Sequence, residues 1–300
     1  MPYNCVVLAK QVPDTANITG KAMKADGTIN RAELPAIFNP EDLNALEMAL
    51  QVKEQHGGQV TVLTMGPPRA AEILREALYR GADRVILVTD RKTAGSDTLA
   101  TSYVLRCAVE RLAAEHGGFD LIFCGRQAID GDTAQVGPQV AEKLGIPQIT
   151  YAESVESLQA GRIVVQRSLP LGIETVQCTL PCLLTVVGSA NQPRPPSIRR
   201  MLEYKLASTH LEYPNLLEKW PEFGSEDALD RYLAERGQRI VVWSGADIGA
   251  DYSRVGLSGS PTKVFNVNFV QLGSSGSQEI SADEEGIAGL IEELVEDYIL

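Results

Sequence analysis

The sequence predicts an α/β fold: a doubly wound, mostly parallel sheet with an antiparallel extension and a C-terminal arm. Three observations carry this. Short apolar, β-rich runs alternate with segments of helical length as far as Gly145. Two of those segments end alike, in Gln55-His-Gly-Gly58 and Glu115-His-Gly-Gly118, each a glycine C-cap just before the next apolar run. A polar loop with three glycines follows the fourth run, at the position where open α/β sheets bind nucleotides.

The elements follow in order. Asn4-Cys-Val-Val-Leu-Ala-Lys10 reads as a strand and leads into Gln11-Val-Pro-Asp-Thr15. Residues 41–55 read as a helix behind Asn39, a good N-cap with Pro40 at the first helical position. Gln59-Val-Thr-Val-Leu-Thr64 is the second strand, followed by Met65-Gly-Pro-Pro68 and a helix over 69–80. Arg84-Val-Ile-Leu-Val-Thr89 is the third, followed by Asp90-Arg91, Gly95-Ser-Asp-Thr98 and a helix over 98–115. The fourth, Asp120-Leu-Ile-Phe-Cys124, opens into the glycine-bearing loop and a helix over 139–144 that stops at Gly145. Continuous apolar runs suit parallel strands covered on both faces, and right-handed crossovers bring the four strand ends to one edge.

The loop itself, Cys124-Gly-Arg-Gln-Ala-Ile-Asp-Gly-Asp-Thr-Ala-Gln-Val-Gly-Pro138, is the most informative stretch. Gly125, Gly131 and Gly137 let the backbone come close to a ligand, and free amides at the helix start suit phosphate. Asp130 and Asp132 would repel a diphosphate, so they are expected to cap the helix, hold a turn or meet ribose hydroxyls. An ordinary acidic strand-to-helix loop reads the same way alone; several loops meeting at one edge single out a nucleotide site.

Composition narrows the function classes. Three hundred residues, 44% of them hydrophobic, allow one large core with appendages. A net charge of −12 without a basic stripe makes nucleic acid an unsuitable partner. No apolar run has membrane-spanning length and no stretch reads as a signal peptide. Five cysteines, mostly in apolar segments and without a C-x-x-C pair, read as reduced core residues of a cytoplasmic protein that holds no metal. No nucleophile elbow, Walker loop or zinc-binding His-Glu motif is present. A nucleotide crevice without an acid–base pair fits redox chemistry, in which a cofactor supplies the reactive atoms.

Lys10-Gln-Val-Pro-Asp14, Phe38-Asn-Pro-Glu-Asp42, Thr64-Met-Gly-Pro67 and Gly125-Arg-Gln-Ala-Ile-Asp-Gly-Asp132 resemble, in that order, the β subunit of electron transfer flavoproteins. Gly172-Ile-Glu-Thr-Val-Gln-Cys-Thr-Leu-Pro-Cys-Leu-Leu-Thr185 is similar to that family's β-subunit signature, with Leu171 where the family has a second glycine. The likeness runs from about residue 3 to 202 and resumes from about 240 to 300. It implies an adenine nucleotide α-hydrolase-like sheet holding FAD or AMP. Ala9, Asn39, Asp42 and Met65 would line the nucleotide with Gly125, Gln127, Asp130, Gly131, Asp132, Thr133, Gln135 and Val136.

Asp90-Arg-Lys-Thr-Ala-Gly-Ser-Asp-Thr-Leu-Ala-Thr-Ser102 resembles the loop of the FAD-binding branch, some of whose members bifurcate electrons. In those, NADH reduces the β-subunit flavin. One electron goes to ferredoxin or flavodoxin, the other to the FAD of the α subunit and on to an acyl-CoA-type dehydrogenase. Gly95 gives room for a bulky ring, while Thr98 and Thr101 offer hydroxyls one helical turn apart. Capping by Ser96 or Asp97 explains part of the pattern, and Thr93 stands where that branch has an aromatic residue. FAD is favoured over structural AMP.

Past residue 150 the helices cease, and strands over 148–157, 162–168 and 174–187 read as antiparallel hairpins. Gly188-Ser-Ala-Asn-Gln-Pro-Arg-Pro-Pro-Ser-Ile198 follows, stiffened by its prolines, ahead of a helix over 197–206. The resemblance makes this the segment that docks a dehydrogenase, with Ile198 as its apolar anchor beside Arg199 and Arg200; an ordinary connecting loop has the same look. The expected division is a nucleotide-binding domain over 1–206, an insertion over 207–240, and an arm over 241–300 that wraps the α subunit. The insertion carries an amphipathic unit around Leu216, Leu217, Trp220 and Phe223 and a helix over 226–236. Gly/Ser-rich joints at 258–260 and 273–277 and an acidic helix from Ala282 mark the arm. Two other classes remain. A universal-stress-type nucleotide regulator has no use for so long an arm, and an ATP-consuming ligase on a related sheet needs a Ser/Gly-rich loop where Lys10-Gln-Val-Pro-Asp14 stands.

Overall fold

The structure, a computed structural model, describes residues 2–14, 34–262 and 279–296. The chain divides into two compact units, Met1–Lys263 and Val264–Leu300. In the first, β1 (Tyr3–Ala9) is buried almost throughout, as its apolar run requires. The short β2 (Gln11–Pro13) and β3 (Ala36–Phe38) pair with each other as a separate antiparallel ribbon. From there α1 (Pro40–His56) returns to β4 (Gly58–Met65), which pairs parallel with β1. Next, α2 (Ala71–Arg80) leads to β5 (Arg84–Val88), parallel to β4. The chain then reverses its direction of winding. α3 (Thr98–His116) crosses back, and β6 (Leu121–Gly125) pairs with the other side of β1. The crevice beyond the ends of β1 and β6 is therefore the topological switch point.

Alternation along the strands sorts the core into two layers. Val7 belongs to one layer with Leu46 of α1 and Leu74 of α2, while Val6 and Leu8 belong to the other with Val104 of α3 and Val140 of α4 (Val136–Leu144). α4 starts three residues earlier than the sequence predicts, so Val136, Gly137 and Pro138 form its first turn.

Beyond it, β7 (Gln148–Gln159), β8 (Arg162–Leu169) and β9 (Gly172–Thr179) make the antiparallel extension. The expected strand over 174–187 is two strands. It breaks at the cis Leu180–Pro181 bond, and β10 (Cys182–Val186) runs parallel between β6 and β7. Proline cannot donate to a ladder, and the fully buried Cys182-Leu-Leu-Thr-Val186 suits a central strand better than a hairpin edge. The helix expected over 197–206 is the shorter α5 (Ile198–Glu203).

The insertion forms α6 (Tyr213–Lys219) and α7 (Glu226–Glu235), whose Tyr213, Leu229 and Leu233 make a small core of their own with Leu216, Leu217 and Phe223. Trp220 is half-buried and stands apart from that cluster. β11 (Val241–Trp243) then completes the sheet, in the order β11-β5-β4-β1-β6-β10-β7-β8-β9. This corrects the expected domain boundary. Residues 241–262 belong to the first unit, because Val241-Val-Trp243 adds to the β5 edge and buries Trp243. The segment includes the one-turn α8 (Gly256–Gly259) and the joint at 258–260; the joint at 273–277 lies outside the described residues. In the second unit, α9 (Glu284–Glu296) exposes Ile287, Leu290, Ile291 and Val295 at helical spacing.

Candidate nucleotide site

The N-terminus of α1 builds the crevice. Asn39 is completely buried, and its side chain spans to the loop after β6: Nδ2 donates to the Gln127 carbonyl (2.9 Å) and Oδ1 accepts from the Ile129 amide (3.1 Å). Its carbonyl accepts the Asp42 and Leu43 amides, but its side chain does not cap the helix. Asp42 ties the two switch-point strands together, accepting the amides of Lys10 and Gly125, each at 2.8 Å. Glu41 accepts the Gln127 amide (2.8 Å) and pairs with Arg126 (3.0 Å).

Burial pushes the Asp42 carboxyl up to about 7, outweighing the amides of Gly125 and Lys10 that favour its charge. The folded chain thus holds a proton that an unfolded carboxyl, ordinarily near 3.8, has lost. The resulting stabilisation is full below the ordinary value and is lost as pH rises through about 7. Asp42→Asn is expected to remove this slope. It also turns an N–H of its own toward one of the two amides, costing about 1–3 kcal/mol. Urea melts of both proteins across that range provide the check, and parallel pH curves would contradict the assignment.

Within the loop the acids are accounted for. Asp130 pairs with Lys10 at 2.7 Å, and Asp132 accepts from Gln127 Nε2 at 2.9 Å. Asp132 and Ala134 sit at φ 48° and 52°, turning the chain sharply into α4. Among the described residues the amides of Thr133, Ala134 and Gln135 meet no acceptor, and those of Val136 and Gly137 begin the helix. Together they present a row of N–H groups at the positive end of α4.

The glycines of the loop also meet the protein itself. A Cβ on Gly125 would lie 2.6 Å from Asp42 Oδ1 and 2.8 Å from its backbone nitrogen. On Gly137 it would lie 2.6 Å from Cys124 Sγ and 3.1 Å from Thr185 Cγ2. Both are small so that α1 and α4 can close on the sheet; only Gly131 faces open space.

The loop after β5 reaches the same place by way of α3. Thr98 Oγ1 donates to Gln135 Oε1 (2.8 Å), joining this loop to the one after β6. Thr101 lies one turn on, its hydroxyl 3.5 Å from the Ser96 carbonyl. Gly95, at φ 74°, faces Leu257: an added Cβ would lie 3.5 Å from that residue's Cβ. Thr93 is buried against the Asp90 carbonyl. Ala9 ends β1 within the crevice wall, and Met65 ends the neighbouring β4, half-buried. Ile198 lies apart from the crevice, 76% exposed at the start of α5.

Sequence reasoning missed the tail that closes over the β5 loop. Tyr252 donates to Asp90 (2.6 Å), the Gly256 amide to Ser96 (2.8 Å), Ser260 Oγ accepts the Asp97 amide (2.9 Å), and Thr262 donates to Asp97. Burial opposes the charge on Asp90, but Tyr252 and the Lys92 and Gly245 amides hold its carboxyl below the usual range. Lys10, Glu41 and Arg126 were also unassigned, although all three lie inside the motifs that mark the crevice.

The electron transfer flavoprotein domain family matches residues 26–205. Over 297 residues the chain is 38% identical to the electron transfer flavoprotein subunit beta of Clostridium acetobutylicum, covering 99% of this chain and 100% of that one. The chain belongs to the electron transfer flavoprotein family, among its β subunits. It is also 45% identical over 265 residues to protein FixA of Azorhizobium caulinodans, covering 87% of this chain and 83% of FixA. It is 38% identical over 298 residues to the caffeyl-CoA reductase-Etf complex subunit CarD of Acetobacterium woodii, covering 98% and 99%. The role of an electron transfer flavoprotein subunit is electron transfer, and its family binds a flavin or nucleotide. The residues at the switch point fit such a group. Free amides stand at the start of α4, Lys10 balances Asp130, and Asn39 with Asp42 fixes the loop without consuming those amides.

Proposed function

We propose that this electron transfer flavoprotein β subunit pairs with an α subunit and bifurcates electrons at FAD held in its own crevice. It would take them from NADH and deliver them to ferredoxin or flavodoxin and to an acyl-CoA-type dehydrogenase. The observation that supports this most is the Thr98–Gln135 hydrogen bond, which joins the β5 loop to the β6 loop. On this reading the two loops together would hold FAD, whereas AMP would need only the β6 loop. Bound flavin would supply hydride acceptance and single-electron donation. The chain's own part would be to hold the diphosphate on the amides of residues 133–137, to present Thr98 and Thr101 toward the ring end, and to fix the β6 loop through Asn39 and Asp42.

The partners rest on separate features. The apolar stripe of α9 calls for burial on another polypeptide, the α subunit. Ile198 on its proline-stiffened segment suits a dehydrogenase, since little conformational freedom is lost on docking. The name of the Acetobacterium woodii relative places that protein in a CoA-reductase complex. No helix among the described residues is long and apolar enough to cross a membrane, and the free cysteines accord with a cytoplasmic setting.

One observation favours a second reading. Leu257 stands against Gly95 and narrows the ring end of the site, as a subunit holding structural AMP would allow. Acid extraction of the purified αβ heterodimer separates the two. Two FADs per heterodimer are expected; one FAD with one AMP leaves a one-flavin electron carrier.

A further inference from the structure

α1 touches two regions. Its first turn holds the nucleotide loop, and a stripe along the same helix, Asn44, Glu47 and Glu54, holds the proline-rich segment that precedes α5. Positions 44, 47 and 54 fall on one helical face. Asn44 Nδ2 donates to the Asn191 carbonyl (2.7 Å), and Asn191 Nδ2 returns a bond to the Asn44 carbonyl (3.0 Å).

Arg194 is the centre of this attachment. Its Nε and Nη2 donate to the two oxygens of Glu47 at 2.8 and 2.9 Å, and its backbone amide adds a third bond to that carboxylate at 3.0 Å. The Glu47 side chain is only 7% exposed, so little solvent screens the pair. The guanidinium also bridges to Glu54, and the Arg194 carbonyl accepts from Arg80 of α2. Planar, two-pronged pairing of this kind fixes direction as well as distance.

Four to eight residues further on, the chain presents an uncovered apolar face: Ile198, Met201 and Leu202 are 76%, 43% and 66% exposed. α5 itself has no buried residue. Its hold on the body is polar instead. Arg200 donates to the Leu78 and Ala82 carbonyls, each at 2.6 Å, and the Ser197 amide donates to the Tyr79 carbonyl at 2.9 Å.

We propose that Arg194, gripped by Glu47 and Glu54, is a positioning residue for electron delivery: it holds residues 188–197 in one conformation so that Ile198, Met201 and Leu202 meet the dehydrogenase already arranged. This rests on the reading above, in which the segment docks an acyl-CoA-type dehydrogenase. A docking face that is competent only part of the time binds more weakly in proportion to that fraction, while the rate within the docked complex is unchanged.

The test uses the αβ heterodimer with its nucleotides, assayed with an acyl-CoA dehydrogenase and, separately, with a small dye acceptor that needs no docking. Arg194→Met keeps the aliphatic stem but loses the fork. It is expected to raise KM for the dehydrogenase about tenfold, with kcat, dye reduction and nucleotide content kept. Arg194→Lys restores charge without the two-pronged geometry and should fall between. Should Arg194→Met fold poorly, Glu54→Gln, at the exposed end of the grip, is expected to raise KM roughly twofold to threefold on the same basis. In each variant, amide exchange should quicken at residues 197–203 and not at 125–136. An unchanged KM in Arg194→Met while Ile198→Asp raises it would overturn the positioning role and leave the docking reading standing. If Ile198→Asp also leaves KM unchanged, the docking reading fails and the positioning role fails with it. An equal fall in dye reduction would mark Arg194 as a general structural residue and overturn the proposal as well.

Discussion

Replacing Gly125 with valine is expected to destabilise the protein by about 3 kcal/mol or more and to leave it without bound nucleotide. The side chain would project into the first turn of α1, where Asp42 Oδ1, Glu41 Cβ and the Asp42 backbone nitrogen lie 2.6–2.8 Å from its Cβ. Two of those atoms are fixed to the helix backbone, so no rotamer change relieves the clash; α1 itself has to move. Moving it breaks the bonds from the Gly125 and Lys10 amides to Asp42, and with them the closure of the switch point. Gly137→Val should act from the other face, lifting α4 off Cys124 and Thr185 and displacing its free amides. Gly131→Ala is the control: nothing lies within 4 Å of its added Cβ, so stability should stay within about 0.5 kcal/mol. Urea melts with quantitation of retained nucleotide decide it. A Gly125→Val protein as stable as the wild type would refute the packing role.

What the sequence disclosed follows the range of the forces involved. Runs such as Val60-Thr-Val-Leu63 and Leu121-Ile-Phe-Cys124 announce buried parallel strands because every residue in them is apolar or β-branched, and the structure buries them accordingly. Asn39 shows where such reading stops. Its position before Pro40 looks like a local cap, yet its side chain serves residues 127 and 129, nearly ninety positions away. The tail latch was invisible for the same reason: Tyr252 meets Asp90 across 162 residues, and no periodicity encodes that bond. β10 was hidden differently. One continuous β-rich stretch from 172 to 186 contains two strands of opposite use, and only Pro181 marks the change. Gly125 and Gly137 were legible as special positions, but whether the missing side chain makes way for a ligand or for a helix depends on what packs against them.

Thr98→Leu combined with Thr101→Leu is expected to remove one flavin from the heterodimer and abolish its reduction by NADH, while the α-subunit flavin stays bound. Thr98 is the residue through which the β5 loop touches the nucleotide loop, its hydroxyl donating to Gln135 at 2.8 Å. Leucine cannot donate there and would place an apolar branch against the side-chain amide of Gln135, so the two loops would part where the proposed FAD is to lie beyond its adenosine. Thr101, one turn along α3, leaves Ser96 without its hydroxyl neighbour and fills the remaining space. The first turn of α3 keeps its Asp97 cap, accepted by that side chain from the Ala100 amide at 2.9 Å, so the helix itself should survive. Hydride transfer requires the nicotinamide within reach of the flavin, and no rise in NADH concentration replaces an absent acceptor. The effect should therefore be a loss of the reaction at all NADH concentrations, not a shift in the half-saturating one. Flavin extraction gives the stoichiometry and anaerobic mixing with NADH gives the rate. A double variant that keeps its full nucleotide complement and its NADH rate would remove the β5 loop from the flavin site, and with it the argument for bifurcation in this chain.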